Sequence, residues 1–205
     1  MLPSTARKLS WEESLRRYEA HGTTLLPYLG GRGLGVAALE RFRLGYVEPA
    51  EDVDRRYWNR LVIPYLTPKG VVQLRYRSLD GAEPKYLSEP GVTPTLYNAS
   101  AVLGPGPIFL TEGEFDAIAI ETILGRPAVA VPGAQAWAAH RYWARCFVGH
   151  DLIFPADGDE AGRQLAAAVT KDLPETHVVH LPDGRDVNDL LAHDPDDFLR
   201  RCGLG

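Results

Sequence analysis

Cysteine is almost missing from this sequence. Cys146 and Cys202 are the only two, far apart and without the short spacing of a zinc knuckle or a disulfide framework. Long apolar runs are missing as well: none approaches the roughly 20 residues that cross a bilayer. The opening stretch MLPSTARKLSWEESLRR has no apolar core of the secretory type. No membrane-spanning helix and no membrane partner are expected, and a cytoplasmic location is. An excess of positive charge is also absent. Lys and Arg number 22 against 27 Asp and Glu, a net charge of -5. Nucleic-acid binders are usually basic, so tight unaided binding to DNA or RNA is not expected. An acidic centre that holds metal ions remains compatible, because bound cations reverse the local field. There is no internal repeat and no low-complexity tract.

What is present suffices for one full domain, or one domain plus a smaller one: 205 residues, 45% of them hydrophobic. Ser10 followed by Glu13 fits a capping box and predicts a helix from Trp11 to about Ala20. Glycines at 30, 31, 33 and 35, then Val36, Leu39 and Phe42 at helical spacing, predict two short helices. AEDVDRR reads as a polar loop. RLVIPYL and VVQLRYRSL flank TPKG and predict a β-hairpin. Alternation along its second strand puts Gln73, Arg75 and Arg77 on one face and Val72, Leu74 and Tyr76 on the other. DGAEPKYLSEPGVTPTLYNAS has no clear period and reads as a long loop.

From Pro107 strands and helices alternate. PIFLTE, PAVAVPG, DLIFPA and THVVHLP read as strands. EFDAIAIETIL, AWAAHRYWARCF and EAGRQLAAAVTKDL read as the helices between them. The strands are short, continuous and apolar, as in a parallel sheet covered on both faces. Asp194 and Pro195 cap and open a final helix. Trp137, Trp143 and Phe147 fit the packing face of one helix. His140 and His150 are read as surface or satisfied histidines, and Trp58 as packing rather than base stacking.

In an open α/β sheet, ligands bind beyond the carboxyl ends of the strands, and acidic residues gather there. Glu112 ends the first strand, with Asp116 one turn later. Asp157 and Asp159 follow the third strand. Asp186 follows the fourth, with Asn188 and Asp189 close by. Any one of these is more often a helix cap or a turn. Together they would repel one another in a cleft of low dielectric unless cations neutralised them. Oxygen ligands without His or Cys point to Mg²⁺ or Mn²⁺ rather than zinc. Gly158 permits a tight turn between Asp157 and Asp159, and the helix beginning near Glu160 presents free N–H groups that favour phosphate.

TEGEFDAIA, FPADGDEAGR and LPDGRDVNDLL, in that order and spacing, resemble the Toprim domain of DnaG-type primases, topoisomerases and some nucleases. YLGGRGLGVAALERFRLGY and LVIPYLTPKGVVQLRYRSLDGAEPKYLSEPG resemble the upstream part of the DnaG-type primase core. The resemblance covers roughly residues 24 to 195 and is closest to short primase-like proteins of bacteriophages and their actinobacterial hosts. It implies a Toprim α/β domain over residues 105–205, Rossmann-like, with a mainly parallel four-stranded sheet flanked by helices. A smaller α+β subdomain of helices and a hairpin is expected over residues 1–104.

The resemblance also implies roles. Glu112, Asp157 and Asp159 match the catalytic and metal-binding acids, and Asp116 and Asp186 match further metal-site acids. Arg32, Arg77 and Lys85 match basic residues that contact template or nucleotide phosphates. Ser88 stands where primases commonly carry asparagine, Asn188 where they often carry aspartate, and Asn98 is nearest to a second lysine that is missing. The implied activity is nucleotidyl transfer by two metal ions, with short RNA primers made from ribonucleoside triphosphates on single-stranded DNA. Template recognition and helicase coupling are expected from other chains, a zinc-binding chain and a replicative helicase. A Toprim nuclease, or a catalytically weak binding subunit of a replisome, remains the alternative. A topoisomerase would need strand-gating domains for which this length has no room.

Overall fold

Ser4, not Ser10, starts the first helix. The structure is a computed structural model that describes residues 3–49 and 52–204. In it α1 runs over Thr5–Ala20, and the Ser4 hydroxyl accepts the Arg7 N–H. Ser10 is therefore inside the helix, where the backbone donors that a cap would satisfy are already bonded. Trp11, Leu15 and Tyr18, four and three residues apart, form its buried stripe.

Residue contacts divide the chain into two units, Met1–Thr93 and Pro94–Gly205. In the first unit α1 lies on a four-stranded antiparallel sheet made of β1 (Gly45–Tyr46), β2 (Arg60–Thr67), β3 (Gly70–Ser78) and β4 (Tyr86–Ser88), in that order. The predicted hairpin is β2–β3, turning at Gly70, whose φ of +94° favours glycine. Leu74 and Tyr76 pack with Trp11, Leu15 and Tyr18 in one core. Tyr57 stacks on Tyr76 with ring centroids 3.8 Å apart.

The predicted long loop contributes β4, three residues that pair with β3 through Arg75–Ser88 and Arg77–Tyr86. A strand this short leaves no period to read. The expected loop AEDVDRR is instead a 3₁₀ helix from Asp52 onward, its first two residues lying outside the described ones. The two short helices expected near the glycines are α2 (Leu26–Gly30) and α3 (Val36–Arg41), but Val36 is half exposed while Ala38 and Phe42 are buried. Trp58 packs against the α1 core, as expected.

The second unit holds a parallel sheet of β5 (Ile108–Thr111), β6 (Ala128–Ala130), β7 (Leu152–Ala156) and β8 (His177–His180), ordered β6-β5-β7-β8. Tyr97 adds an antiparallel bridge to Ala130 at its edge. Helices cover both faces, which is why β5, β6 and β7 read as unbroken apolar runs, while β8 at the edge exposes His177 and His180. One face packs Ile108, Leu110 and Phe154 against Trp137, Trp143 and Phe147, and against Leu165 and Val169 of α6 (Glu160–Asp172). On the other, Phe109 meets Phe198 of α8 (Pro195–Arg201) at 5.9 Å. Asp194 caps α8 as predicted, accepting the Asp197 N–H.

Two predicted helices are interrupted. EFDAIAIETIL forms α4 (Glu114–Ala119) and then widens into a π turn, Ile120–Leu124, closed by Gly125 in the left-handed region. AWAAHRYWARCF divides at His140 into α5 (Ala134–Ala139) and a 3₁₀ segment, Arg141–Phe147. His140 stacks on Trp143 at 4.7 Å, so the break still delivers all three aromatic residues to the core. Among the described residues, no helix is long and apolar enough to cross a membrane.

Candidate active site

The order β6-β5-β7-β8 sends the chain to one side of β5 and then back to the other. The direction reverses between β5 and β7, and a crevice beyond their carboxyl ends is where such sheets take ligands. Glu112 directly follows β5 and Asp157 directly follows β7. The Asp157 backbone N–H donates to Glu112 Oε1 at 3.2 Å.

Two glycines make this approach possible. A side-chain carbon at Gly162 would stand 2.3 Å from the Asp157 carbonyl oxygen and 2.7 Å from Glu112 Oε1. One at Gly158 would stand 1.9 Å from the Pro182 carbonyl oxygen. Gly158 is also bonded into the loop after β8, donating to Arg185 O and accepting from Gly184 N–H, each at 2.9 Å. The loops after β7 and β8 are thus locked backbone to backbone.

Each expected acid can now be placed. Asp159 caps α6, accepting the Gly162 N–H at 2.8 Å. Asp186 caps α7 (Val187–His193), accepting the Asp189 N–H at 2.7 Å. The ordinary role of an acid after a strand is therefore present at both positions, and it fixes where those carboxylates stand. Asp116, nearly buried in α4, accepts the Asn188 N–H at 3.3 Å, which joins α4 to the start of α7. Asn188 is itself buried.

The charges of these acids meet at Asp157. Its carboxyl is pushed up to about 9, first by burial and then by the negative charges of Asp116, Glu112, Asp186 and Asp159. Glu112 is also raised, by burial and by Asp159, although the Asp157 N–H opposes this. Asp157 Oδ1 is buried without a hydrogen-bond partner. A buried carboxylate oxygen left in that state is costly unless protonated or bound to a cation. The nearby guanidinium groups pair elsewhere, Arg163 in the first turn of α6 with Glu160 and Arg185 in the loop after β8 with Asp189.

Oxygen-only donors, a partnerless buried oxygen and charge concentrated on one carboxyl fit a hard divalent cation. Among the described residues, no three His, Cys, Asp or Glu side chains stand gathered as ligands around one point. It is the charge, rather than a finished ligand cage, that converges.

The expected basic residues lie in the first unit. Arg32 Nε donates to the Tyr28 hydroxyl at 2.9 Å, and Arg77 Nη1 donates to the Tyr86 hydroxyl. Lys85 is exposed, its carbonyl accepting the Ser78 N–H at 2.9 Å. Asn98 does not serve as a substitute lysine. Its amide donates to Glu121 Oε1 at 2.6 Å and to Ala128 O at 2.9 Å, inside the second unit.

The residues missed by sequence reasoning are Gly162, Asn188 as a backbone donor, and the tyrosines 28 and 86. Gly162 lies within FPADGDEAGR, so the motif held it, but its need for a missing side chain shows only once Glu112 is seen against it.

The Toprim-like family pattern matches residues 109–191. The Gene 57 protein of Mycobacterium phage D29 is 40% identical over 150 residues, 70% of this chain and 97% of that protein. A DNA primase of Synechococcus elongatus is 27% identical across 88% of this chain, and this chain matches 33% of its length. A solved DnaG catalytic core superposes with a TM-score of 0.76 at 23% identity, over 92% of this chain and 76% of that one.

Proposed function

The chain belongs to the Toprim proteins related to the catalytic core of DnaG-type primases, in the company of a short phage relative, and from this premise we propose that it makes short RNA primers on a single-stranded DNA template. The observation that carries the reading is the focusing of Glu112, Asp116, Asp159 and Asp186 on Asp157, where the strand order reverses.

On this reading Glu112, Asp157 and Asp159 hold Mg²⁺ or Mn²⁺, with Asp116 and Asp186 adding charge or ligands. The bound cation supplies Lewis-acid stabilisation of the charge that develops on the reacting oxygens. The 3′-hydroxyl oxygen of one ribonucleotide attacks the α-phosphorus of the next. An O–P bond forms, the bond to pyrophosphate breaks, and the hydroxyl proton leaves. On this reading Glu112, half-buried at the end of β5, also takes that proton. Asp159 and Asp186, each fixed as a helix cap, keep their charges where α6 and α7 begin. Arg32, Arg77 and Lys85 neutralise template or nucleotide phosphates. Catalysis is chiefly positioning and charge stabilisation.

The test is incubation of the purified chain with single-stranded DNA, labelled ribonucleoside triphosphates and Mg²⁺ or Mn²⁺, with and without a zinc-binding primase partner. Short oligoribonucleotides are expected. Degradation of the DNA in the absence of nucleotides would instead assign a nuclease. No product in either arm would leave only a binding subunit.

A further inference from the structure

We infer that Tyr28 and Tyr86 are positioning residues that hold the arginines of the first unit in a grip for the sugar–phosphate backbone of single-stranded nucleic acid. The inference rests on the primase reading and adds to it a device that the acidic site does not contain.

Five side chains from α2, the turn after it, β3 and β4 form one alternating ladder. The Arg32 guanidinium lies 5.1 Å from the Tyr28 ring centre, and Arg77 lies 5.8 Å from the same ring. Arg77 is also 5.3 Å from the Tyr86 ring, and Arg75 is 4.2 Å from it. The order is Arg32, Tyr28, Arg77, Tyr86, Arg75. Each hydroxyl also accepts a guanidinium N–H, Tyr28 from Arg32 and Tyr86 from Arg77.

Three guanidinium groups this close repel one another. A ring face between neighbours offsets part of that repulsion, because its negative quadrupole attracts the cation on either side. The rings also set the orientation of each guanidinium plane. A guanidinium binds phosphate through its planar fork of N–H groups, so its orientation decides whether a two-pronged contact can form. The sequence supports the same design. Arg75 and Arg77 share one face of β3, Tyr86 sits opposite Arg77 on β4, and Tyr28 and Arg32 come from α2 and the turn after it. The residues are half-buried, which holds the side chains in place without sealing them off.

The experiment measures binding of a fluorescent oligothymidylate to the full chain by anisotropy, in EDTA and over a series of salt concentrations. Chelation removes any phosphate contact through cations at the acidic site. Arg77→Gln and Tyr86→Leu are each expected to weaken binding about three- to tenfold, and to shrink the salt slope by about 0.7, the loss of one phosphate contact. The double variant is expected to bind no worse than either single one. Tyr86→Phe, which keeps the ring, should fall between wild type and Tyr86→Leu.

Wild-type affinity and slope in Tyr86→Leu or Arg77→Gln overturns the proposal, and so do losses that multiply in the double variant. If Tyr86→Leu does not fold, the variant carrying both Tyr28→Phe and Tyr86→Phe decides. A loss of at least about threefold supports the grip, and unchanged binding refutes it. Primer synthesis is assayed separately. Its failure with oligothymidylate binding intact counts against the polymerase reading and leaves the grip standing.

Discussion

The backbone N–H of Asp157 points at the carboxylate of Glu112, across 3.2 Å and between residues 45 positions apart. Through this bond the loop after β7 is seated on the end of β5. Glu112→Gln keeps a carbonyl oxygen for the bond and removes the charge. Asp157→Asn keeps the N–H and removes the other charge. Both variants are expected to retain wild-type circular dichroism and to lose oligoribonucleotide synthesis by at least about a hundredfold. Full activity in either would remove these residues from the chemistry.

The crowding on Asp157 has a sign that pH can read. Its folded carboxyl titrates at about 9, above its ordinary value of 3.8. The folded state therefore holds a proton that the unfolded state gives up. The associated stability is complete below the ordinary value and disappears as pH rises through the folded one. In EDTA, Asp157→Asn should gain thermal stability relative to wild type as pH is raised from about 5 to about 9. The gap should narrow when Mg²⁺ is added to wild type, because a cation does the work of the proton. Melting curves of the two proteins across pH check this, and a constant gap would contradict it.

The glycines of the second motif make a steric prediction with a control. Gly162→Ala would put a carbon 2.3 Å from one backbone oxygen, and Gly158→Ala would put one 1.9 Å from another. Each should cost about 1–3 kcal/mol or more in chemical denaturation and impair synthesis by moving Glu112 or the 182–185 loop. At Gly30 nothing lies within 4 Å of the added carbon. Gly30→Ala, inside α2, should be neutral or stabilising by up to about 1 kcal/mol.

Some of this was legible in the residues and some was not, for identifiable reasons. The strands β5, β6 and β7 announce themselves because strands buried on both faces require unbroken apolar runs, whereas β8, at the edge with His177 and His180 exposed, shows only two valines between them. The acids announce themselves because they follow those runs. β4 does not, since three residues carry no period. The division of the α5 region at His140 is also silent, because Trp137, Trp143 and Phe147 reach the core either way. Ser10 with Glu13 imitates a helix start, but Ser4 lies earlier in the same helical stretch and its hydroxyl is the one that caps. At the site, the motifs name the carboxylates. They do not say that the charges would meet at Asp157, or that a missing side chain at Gly162 admits Glu112.

Asn98 shows where a family pattern and local physics part. Its place near a missing lysine invites Asn98→Lys as a restoration of phosphate binding. The structure argues the reverse. Residue 98 has a φ of 52°, a left-handed conformation that asparagine tolerates and lysine does not favour. Its amide holds Glu121 and the Ala128 carbonyl together, and Glu121 also accepts the Ala128 N–H at 3.3 Å. Removing the amide takes a donor from a buried carboxylate, at about 1–3 kcal/mol. Asn98→Lys should lose that much in urea denaturation and gain no nucleotide affinity. Asn98→Gly keeps the backbone conformation, so its loss isolates the hydrogen bonds. If Asn98→Lys proves as stable as wild type and binds nucleotide more tightly, residue 98 faces the phosphate after all, and the inward amide is not what holds this edge of the sheet.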